Sequence, residues 1–405
     1  MLFVVVYVFF LWSVFCSAER LPEEDMNATQ LIQNLGYPVE EHFPKTEDGY
    51  ILGMQRIPHG IPLEQNGLSM SAESSASSKP AVLLVHGLGA CSTNYLTNLA
   101  NESLAYILAD AGYDVWLGNC RGNIYSQKHE TYTIKDKEFW NFSWEDMAAK
   151  NLPAMVDHIL SVTGNTQIFY VGHSQGTLIA FAKLSTDQDF AKKIRAFFAL
   201  APVTTVGYIT CPARILAAFT SEILALADAI HMYGTTKMEW LLNYIKPVCD
   251  NQMIDKDFCE NILFSLVGQE DTRLLNQTRL PVYIAHNPAG TSMKNIAHFG
   301  QLVNSKKMQM WDYGHIRNLI KYGQWDPPQY PLEKISTYTV LFWSENDTLA
   351  DPTDVRKLMP RLANHQAHKI PDYSHVDFLF ALNARQSIYE RIIKVMKSDI
   401  FNFAE

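Results

Sequence analysis

Residues 172–176 read Gly-His-Ser-Gln-Gly, a serine between two glycines. A serine hydroxyl attacks well only when a base takes its proton and an acid orients that base. The chain carries both groups late in its length. His375 lies in IPDYSHVDF, and the acids Glu345, Asp347, Asp351 and Asp354 follow the apolar run YTVLFW at 338–343. Serine, then acid, then histidine is the chain order that accompanies a nucleophilic serine on a sharp strand-to-helix turn. The pentapeptide alone is a weak signal, since a chain of this length yields one by chance about 0.1 times. Its surroundings strengthen it.

The run QIFYV at 167–171 reads as a buried strand, and TLIAFAKL at 177–184 reads as a helix. Ser174 therefore falls on a sharp strand-to-helix turn, where side chains at positions 172 and 176 would clash. His375 is the preferred base. Its rivals His365 and His368 lie before a strand-like run centred on Ile370, where a helix-to-strand connection is expected. Asp347, four residues beyond Trp343, is the preferred acid. Asp351 is the alternative, although its place before Pro352 suits a helix N-cap. A tetrahedral intermediate also needs two donors. The N–H of Gln175 is one, and the loop His86-Gly87-Leu88-Gly89 supplies the other, Leu88 ahead of Gly87. His86 is read as a structural hydrogen-bonder in preference to a second base.

These residues need a frame. AVLLV at 81–85, YDVWL at 113–117, AFFAL at 196–200 and YTVLFW are further short apolar runs. Residues 99–111, 144–162 and 177–184 have helical spacing, and helices are also expected at 355–362 and 384–396. Strands alternating with helices imply right-handed βαβ units and a mostly parallel central sheet flanked by helices, an α/β fold. Residues 40–56 read as an opening hairpin turning at EDGY. From 203 to 331 the alternation stops, apart from a brief strand at 282–285. The expected organisation is one α/β core, 19–202 and 332–405, with a largely helical cap at 203–331 inserted before the acid-bearing strand. Such an insertion would roof the crevice beyond the strands' carboxyl ends, where ligands bind. Within it, Leu216, Phe219, Ile223 and Leu226 share one helical face, either a lid for apolar substrates or a helix packed on the cap's own core. The Ser-rich stretch 66–79 reads as a solvated loop.

Net charge is -9 with no long basic run, which excludes a nucleic-acid partner. There is no HExxH and no clustered Cys/His pattern, so neither metal nor organic cofactor is expected. The apolar run 2–16 is too short to span a membrane comfortably, and the small residues Cys16, Ser17 and Ala18 follow it. We read 1–18 as a signal peptide cleaved after Ala18, with an uncleaved anchor as the alternative; no stable transmembrane anchor is expected. Sequons at Asn27, Asn101, Asn141 and Asn276 fit a secretory route. A fifth, at Asn346, is expected to stay unused, because a glycan there would crowd Asp347. Five cysteines remain after the leader, an odd count. Cys249 and Cys259 close a short loop and are the expected disulfide, two buried thiols being the alternative; the state of Cys91, Cys120 and Cys211 is open. No feature sets the oligomeric state.

The chain resembles the acid lipase family, the gastric, lysosomal and insect lipases of the α/β-hydrolase superfamily, from about residue 38 to 401. The resemblance rests on LLVHGLGA, GYDVWLGNCRGN, NLPAMVDHI, GHSQGT, LAPVTTV, HNPAGTS, NDTLADPTDV and DYSHVDFLFALNA taken together. It implies Ser174 as nucleophile, Asp347 as acid, His375 as base, Leu88 and Gln175 as oxyanion donors, and a cap disulfide at Cys249 and Cys259. Departures are a longer 66–79 loop, Cys120 where the family often has serine, and Cys211. The implied activity is hydrolysis of triacylglycerols or steryl esters at a lipid–water interface, by a secreted or lysosomal protein. A carboxylesterase for smaller esters and a catalytically silent lipid-binding protein are the alternatives.

Overall fold

The computed structural model describes residues 20–61, 79–211, 213–235 and 273–398. The leader, most of the Ser-rich loop, and the Cys249 and Cys259 pair lie outside the described residues, as does the side chain of Leu216. One eight-stranded sheet organises the chain. Its strands are β1 (Glu40–His42), β2 (Met54–Ile57), β3 (Ala81–Val85), β4 (Asp114–Gly118), β5 (Ile168–His173), β6 (Ile194–Leu200), β7 (Thr339–Trp343) and β8 (His365–Lys369). Their order across the sheet is β1-β2-β4-β3-β5-β6-β7-β8. From β4 to β8 all pairings are parallel, whereas β1 and β2 form the expected hairpin and join β4 antiparallel.

Every residue of β3, β4, β5 and β7 is buried. Helices therefore cover both faces, as parallel sheets require. The helices used below are α1 (Leu104–Asp110), α2 (Leu152–Thr163), α3 (Gln175–Thr186), α4 (Ala213–Ala217), α5 (Thr220–Ala229), α6 (Leu280–His286), α7 (Met293–Ser305), α8 (His315–Tyr322) and α9 (Pro352–Leu358). Between β6 and β7 the described chain contributes α4 to α8 and no strand to this sheet.

Four sequence expectations need correction. The apolar run at 282–285 is not a strand but part of α6, where Pro281 falls in the first turn, a position that favours helix entry. The histidines His365 and His368 sit on β8 itself, not before it, and Ile370 follows the strand. That strand escaped notice because it is an edge strand with polar, partly exposed side chains and no apolar run. The one helix expected to carry Leu216, Phe219, Ile223 and Leu226 is interrupted, because α4 ends at Ala217 and α5 begins at Thr220, with Phe219 as its N-cap. Thr220 and Asn304 both donate to the carbonyl of Ala217 at the break. Finally, the helical run at 144–162 is interrupted by a π turn at Met147–Asn151. Pro153 accounts for it, since it lacks an N–H and crowds the carbonyl four residues back.

Among the described residues, no helix is long and apolar enough to cross a membrane.

Candidate active site

Ser174 links β5 to α3 with φ at 51°, a left-handed conformation that a serine adopts only under constraint. The constraint is visible. Ser174 N–H donates to Leu200 O (3.0 Å), Thr177 Oγ1 donates to Ser174 O (2.6 Å), and Tyr170 OH donates to Gly176 O (2.7 Å). The flanking glycines are needed for close approach. A Cβ at 172 would lie 2.6 Å from the Gly176 carbonyl carbon, and one at 176 would run into the Val85 carbonyl oxygen.

The side chains expected to work together meet at this turn. His375 Nε2 is 2.8 Å from Ser174 Oγ. Its Nδ1 is 3.0 Å from both carboxylate oxygens of Asp347. Asp347 Oδ1 in turn accepts the N–H groups of Leu349 (3.0 Å) and Ala350 (2.8 Å), which fix the carboxylate in the loop after β7. All three residues are buried. Asp351, the alternative acid, instead caps α9 through Thr353 N–H (2.7 Å). His365 bonds to Leu362 O and His368 stacks on Phe342, so neither reaches the serine.

Gln175 opens α3, so its N–H is one of the donors that a helix's first turn leaves without an intrahelical partner. Leu88 lies on the loop after β3 and lines the same cavity as Ser174. Gly87 packs behind it, where an added Cβ would stand 3.2 Å from the Ser174 Cβ. His86 ties the loop down. Its Nδ1 is 2.8 Å from Gly87 O, and its Nε2 accepts from Cys120 N–H and Asn123 Nδ2, both at 3.1 Å. Burial lowers its pKa to about 4, which keeps it neutral and suits these roles.

Three residues at the site escape sequence reasoning. His173 bonds through Nε2 to the His375 carbonyl (2.9 Å), and burial together with the nearby His375 lowers its pKa to about 3. Neutral His173 is then the donor to that carbonyl. Asn295, on α7, donates from Nδ2 to Gln175 Oε1 (2.7 Å) and to Thr291 Oγ1 (3.0 Å). Met147, on the π turn, places its sulfur 3.5 Å from Gln175 Nε2. The available signal was the HNPAGTS motif, which ends three residues before Asn295.

Above Ser174 lies a cavity of about 290 Å³. The core lines it with Leu88, Leu349, Val376 and Phe380, and the β6–β7 segment adds Val203, Val206, Ala213, Ile284 and Phe299. An apolar chain fits such a lining, with its polar end at Ser174. Among the described residues no group of His, Cys, Asp or Glu could hold a metal.

Cys91, Cys120 and Cys211 are buried free thiols. Burial pushes Cys91 up to about 11 and Cys120 up to about 12, so neither is a ready nucleophile. Among the sequons, Asn27, Asn101 and Asn141 are exposed, whereas Asn276 is half-buried and donates to Glu102 Oε2 (3.3 Å). Asn346 is also exposed, which removes the crowding argument made against a glycan there.

Comparison with known proteins agrees with this architecture. The description "partial alpha/beta-hydrolase lipase region" matches residues 28–99, and "alpha/beta hydrolase fold" matches residues 80–223. Gastric triacylglycerol lipase of Mus musculus is 43% identical over 385 residues, covering 93% of both chains. Lysosomal acid lipase/cholesteryl ester hydrolase of Homo sapiens is 40% identical over 380 residues, 93% of this chain and 92% of that one. An esterase structure from Exiguobacterium antarcticum superposes with a TM-score of 0.52 at 13% identity, over 89% of this chain and 100% of the esterase.

Proposed function

The chain belongs to the acid lipase family of α/β-hydrolases and is a lipase, an enzyme that hydrolyses lipid esters, and we propose that it does so as a serine hydrolase through an acyl-enzyme. The observation that carries this reading is the unbroken contact from Ser174 Oγ through His375 to Asp347 at the floor of an apolar cavity. Ser174 attacks the ester carbonyl while His375 takes its proton. The N–H groups of Leu88 and Gln175 hold the oxyanion, and Asp347 stabilises the cationic imidazole. His375 then protonates the leaving alcohol, activates water, and the fatty acid departs.

Triacylglycerols and steryl esters are the proposed substrates, presented at a lipid–water interface, as the names of the two lipases compared above support. The proposed location is outside the cell, with the lysosomal lumen, which the second name prints, as the alternative. Residues 1–18 act as the signal, 203–331 as the cap on a core of 19–202 and 332–405, Cys249 pairs with Cys259, and Asn27, Asn101, Asn141 and Asn276 carry glycans.

The test is fatty-acid release from emulsified triolein and cholesteryl oleate, beside a soluble butyrate ester, at about pH 4.5 and about pH 7.5, on either side of the histidine range. Ser174→Ala is expected to lower every rate by roughly 10⁴-fold or more. Serine-dependent release from butyrate alone would replace the reading with a carboxylesterase. No serine-dependent release from any of the three would leave a silent lipid-binding protein.

A further inference from the structure

The helix α8, HIRNLIKY, is amphipathic in the reverse sense for a soluble protein. Its buried residue is Asn318, while Ile316, Leu319 and Ile320 are 72%, 45% and 81% exposed. Asn318 makes three polar contacts inward. Its Nδ2 donates to Asp312 Oδ1 (2.7 Å) and Trp325 O (2.9 Å), and its Oδ1 accepts Tyr313 N–H (2.9 Å). Positions i, i+3 and i+4 share one face, so the three aliphatic side chains form an outward patch. Trp325, 59% exposed, sits at the end of the same unit with its ring against His315.

The patch is held firmly. Tyr322 OH donates to Trp311 O (2.9 Å), and Trp311 N–H donates to Glu145 Oε2 (2.9 Å). It is also coupled to the cavity wall. Gln301 on α7 exchanges hydrogen bonds with the backbone of Asp312, while Phe299 on the same helix lines the cavity. Exposed Arg317 and Lys321, one helical turn apart, edge the aliphatic face; Asp326 is the acid beside Trp325. In a chain of net charge -9, this local pair of cations is what allows approach to a negatively charged surface.

We propose that α8 and Trp325 form a docking surface for an anionic lipid–water interface, separate from the cavity mouth. An aliphatic face with flanking cations and a tryptophan has the chemistry of a helix lying in a lipid surface. The proposal rests on the lipase reading, because hydrolysis itself charges the surface with released fatty acid.

Flotation with phosphatidylcholine vesicles, with and without phosphatidylserine, tests it. The wild-type chain is expected to float with the anionic vesicles, less so at high salt. Ile316→Ser with Ile320→Ser should weaken that binding by about tenfold or more, and Arg317→Glu with Lys321→Glu should abolish the preference for anionic vesicles. Both double variants should retain soluble-butyrate hydrolysis. Ser174→Ala should float like the wild type yet lose hydrolysis, so failure of docking and failure of the lipase reading are told apart. Unchanged flotation of the Ile316→Ser/Ile320→Ser variant would overturn the proposal. So would a wild-type dimer that the variant dissociates, which would make a second copy the occupant. A large fall in melting temperature with no vesicle binding in the wild type would mean that the face is covered within the chain.

Discussion

Asn295 and Gln175 stand 120 positions apart, yet their side chains meet at 2.7 Å in a buried setting. Gln175 also carries one of the two N–H groups proposed to hold the oxyanion. A bond that fixes its side chain therefore helps fix the proposed donor beside Ser174. Asn295→Ala is expected to lower kcat on a soluble ester by about tenfold with little change in KM, the loss of one buried hydrogen bond felt at the transition state. Steady-state kinetics on a folded variant checks this. An unchanged kcat would reduce Asn295 to a packing residue. The proposed nucleophile, base and acid were legible because each follows a recognisable element, the serine on a strand-to-helix turn and the acid and histidine on segments late in the chain. Asn295 was not, since an asparagine on a helix reads as solvated until the tertiary fold shows what it touches.

The strand-to-helix turn at Ser174 depends on two close backbone approaches. Gly176 lies against the Val85 carbonyl of β3, so a methyl there meets backbone that cannot swing away. Gly164, the left-handed residue ending α2, has φ at 71° and no atom within 4 Å of an added Cβ. Gly164→Ala should thus cost about 1 kcal/mol, from backbone conformation alone. Gly176→Ala should cost about 3 kcal/mol or more and also misplace Ser174. Urea midpoints of the two variants distinguish these outcomes, and equal midpoints would contradict the steric account. The glycines were legible in the sequence because the turn needs them locally. The π turn beside them was less so, since Pro153 signals a disturbance without saying whether the helix breaks, kinks or widens.

The molecule buries histidines that have no part in the proposed proton transfer, and this sets a pH response. His298 stacks on Trp144 and bonds to Ser143 Oγ (3.0 Å) and Gln309 O (3.2 Å). Burial lowers its pKa to about 3, as burial lowers His86 to about 4. In the unfolded chain both would titrate near pH 6.5. Between these limits the unfolded state binds more protons, so stability is full above about pH 6.5 and falls as pH drops. Each histidine accounts for about 2–3 kcal/mol lost by about pH 4.5. Glu145, raised chiefly by burial, opposes the trend. The urea midpoint should be lower at about pH 4.5 than at about pH 7.5, and His298→Gln should narrow the gap. A midpoint independent of pH would contradict the assignment of neutral buried histidines.

The sequence by itself determined the parallel sheet, the chain order of the three side chains proposed to react and, among the described residues, the helices between β6 and β7. Those follow from local patterns: apolar runs, helical spacing, and turn residues whose demands are met within a few positions. Only the tertiary structure decided which polar groups found distant partners, as with His173 on His375 and Asn295 on Gln175. It also decided that the polar His365–Lys369 segment became an edge strand, that 282–285 entered a helix, and that α8 turned its aliphatic side outward. The physical reason is common to all of these. A short segment's own pattern permits more than one state, and the free energy that chooses among them comes from hydrogen bonds and burial against chain far away in sequence.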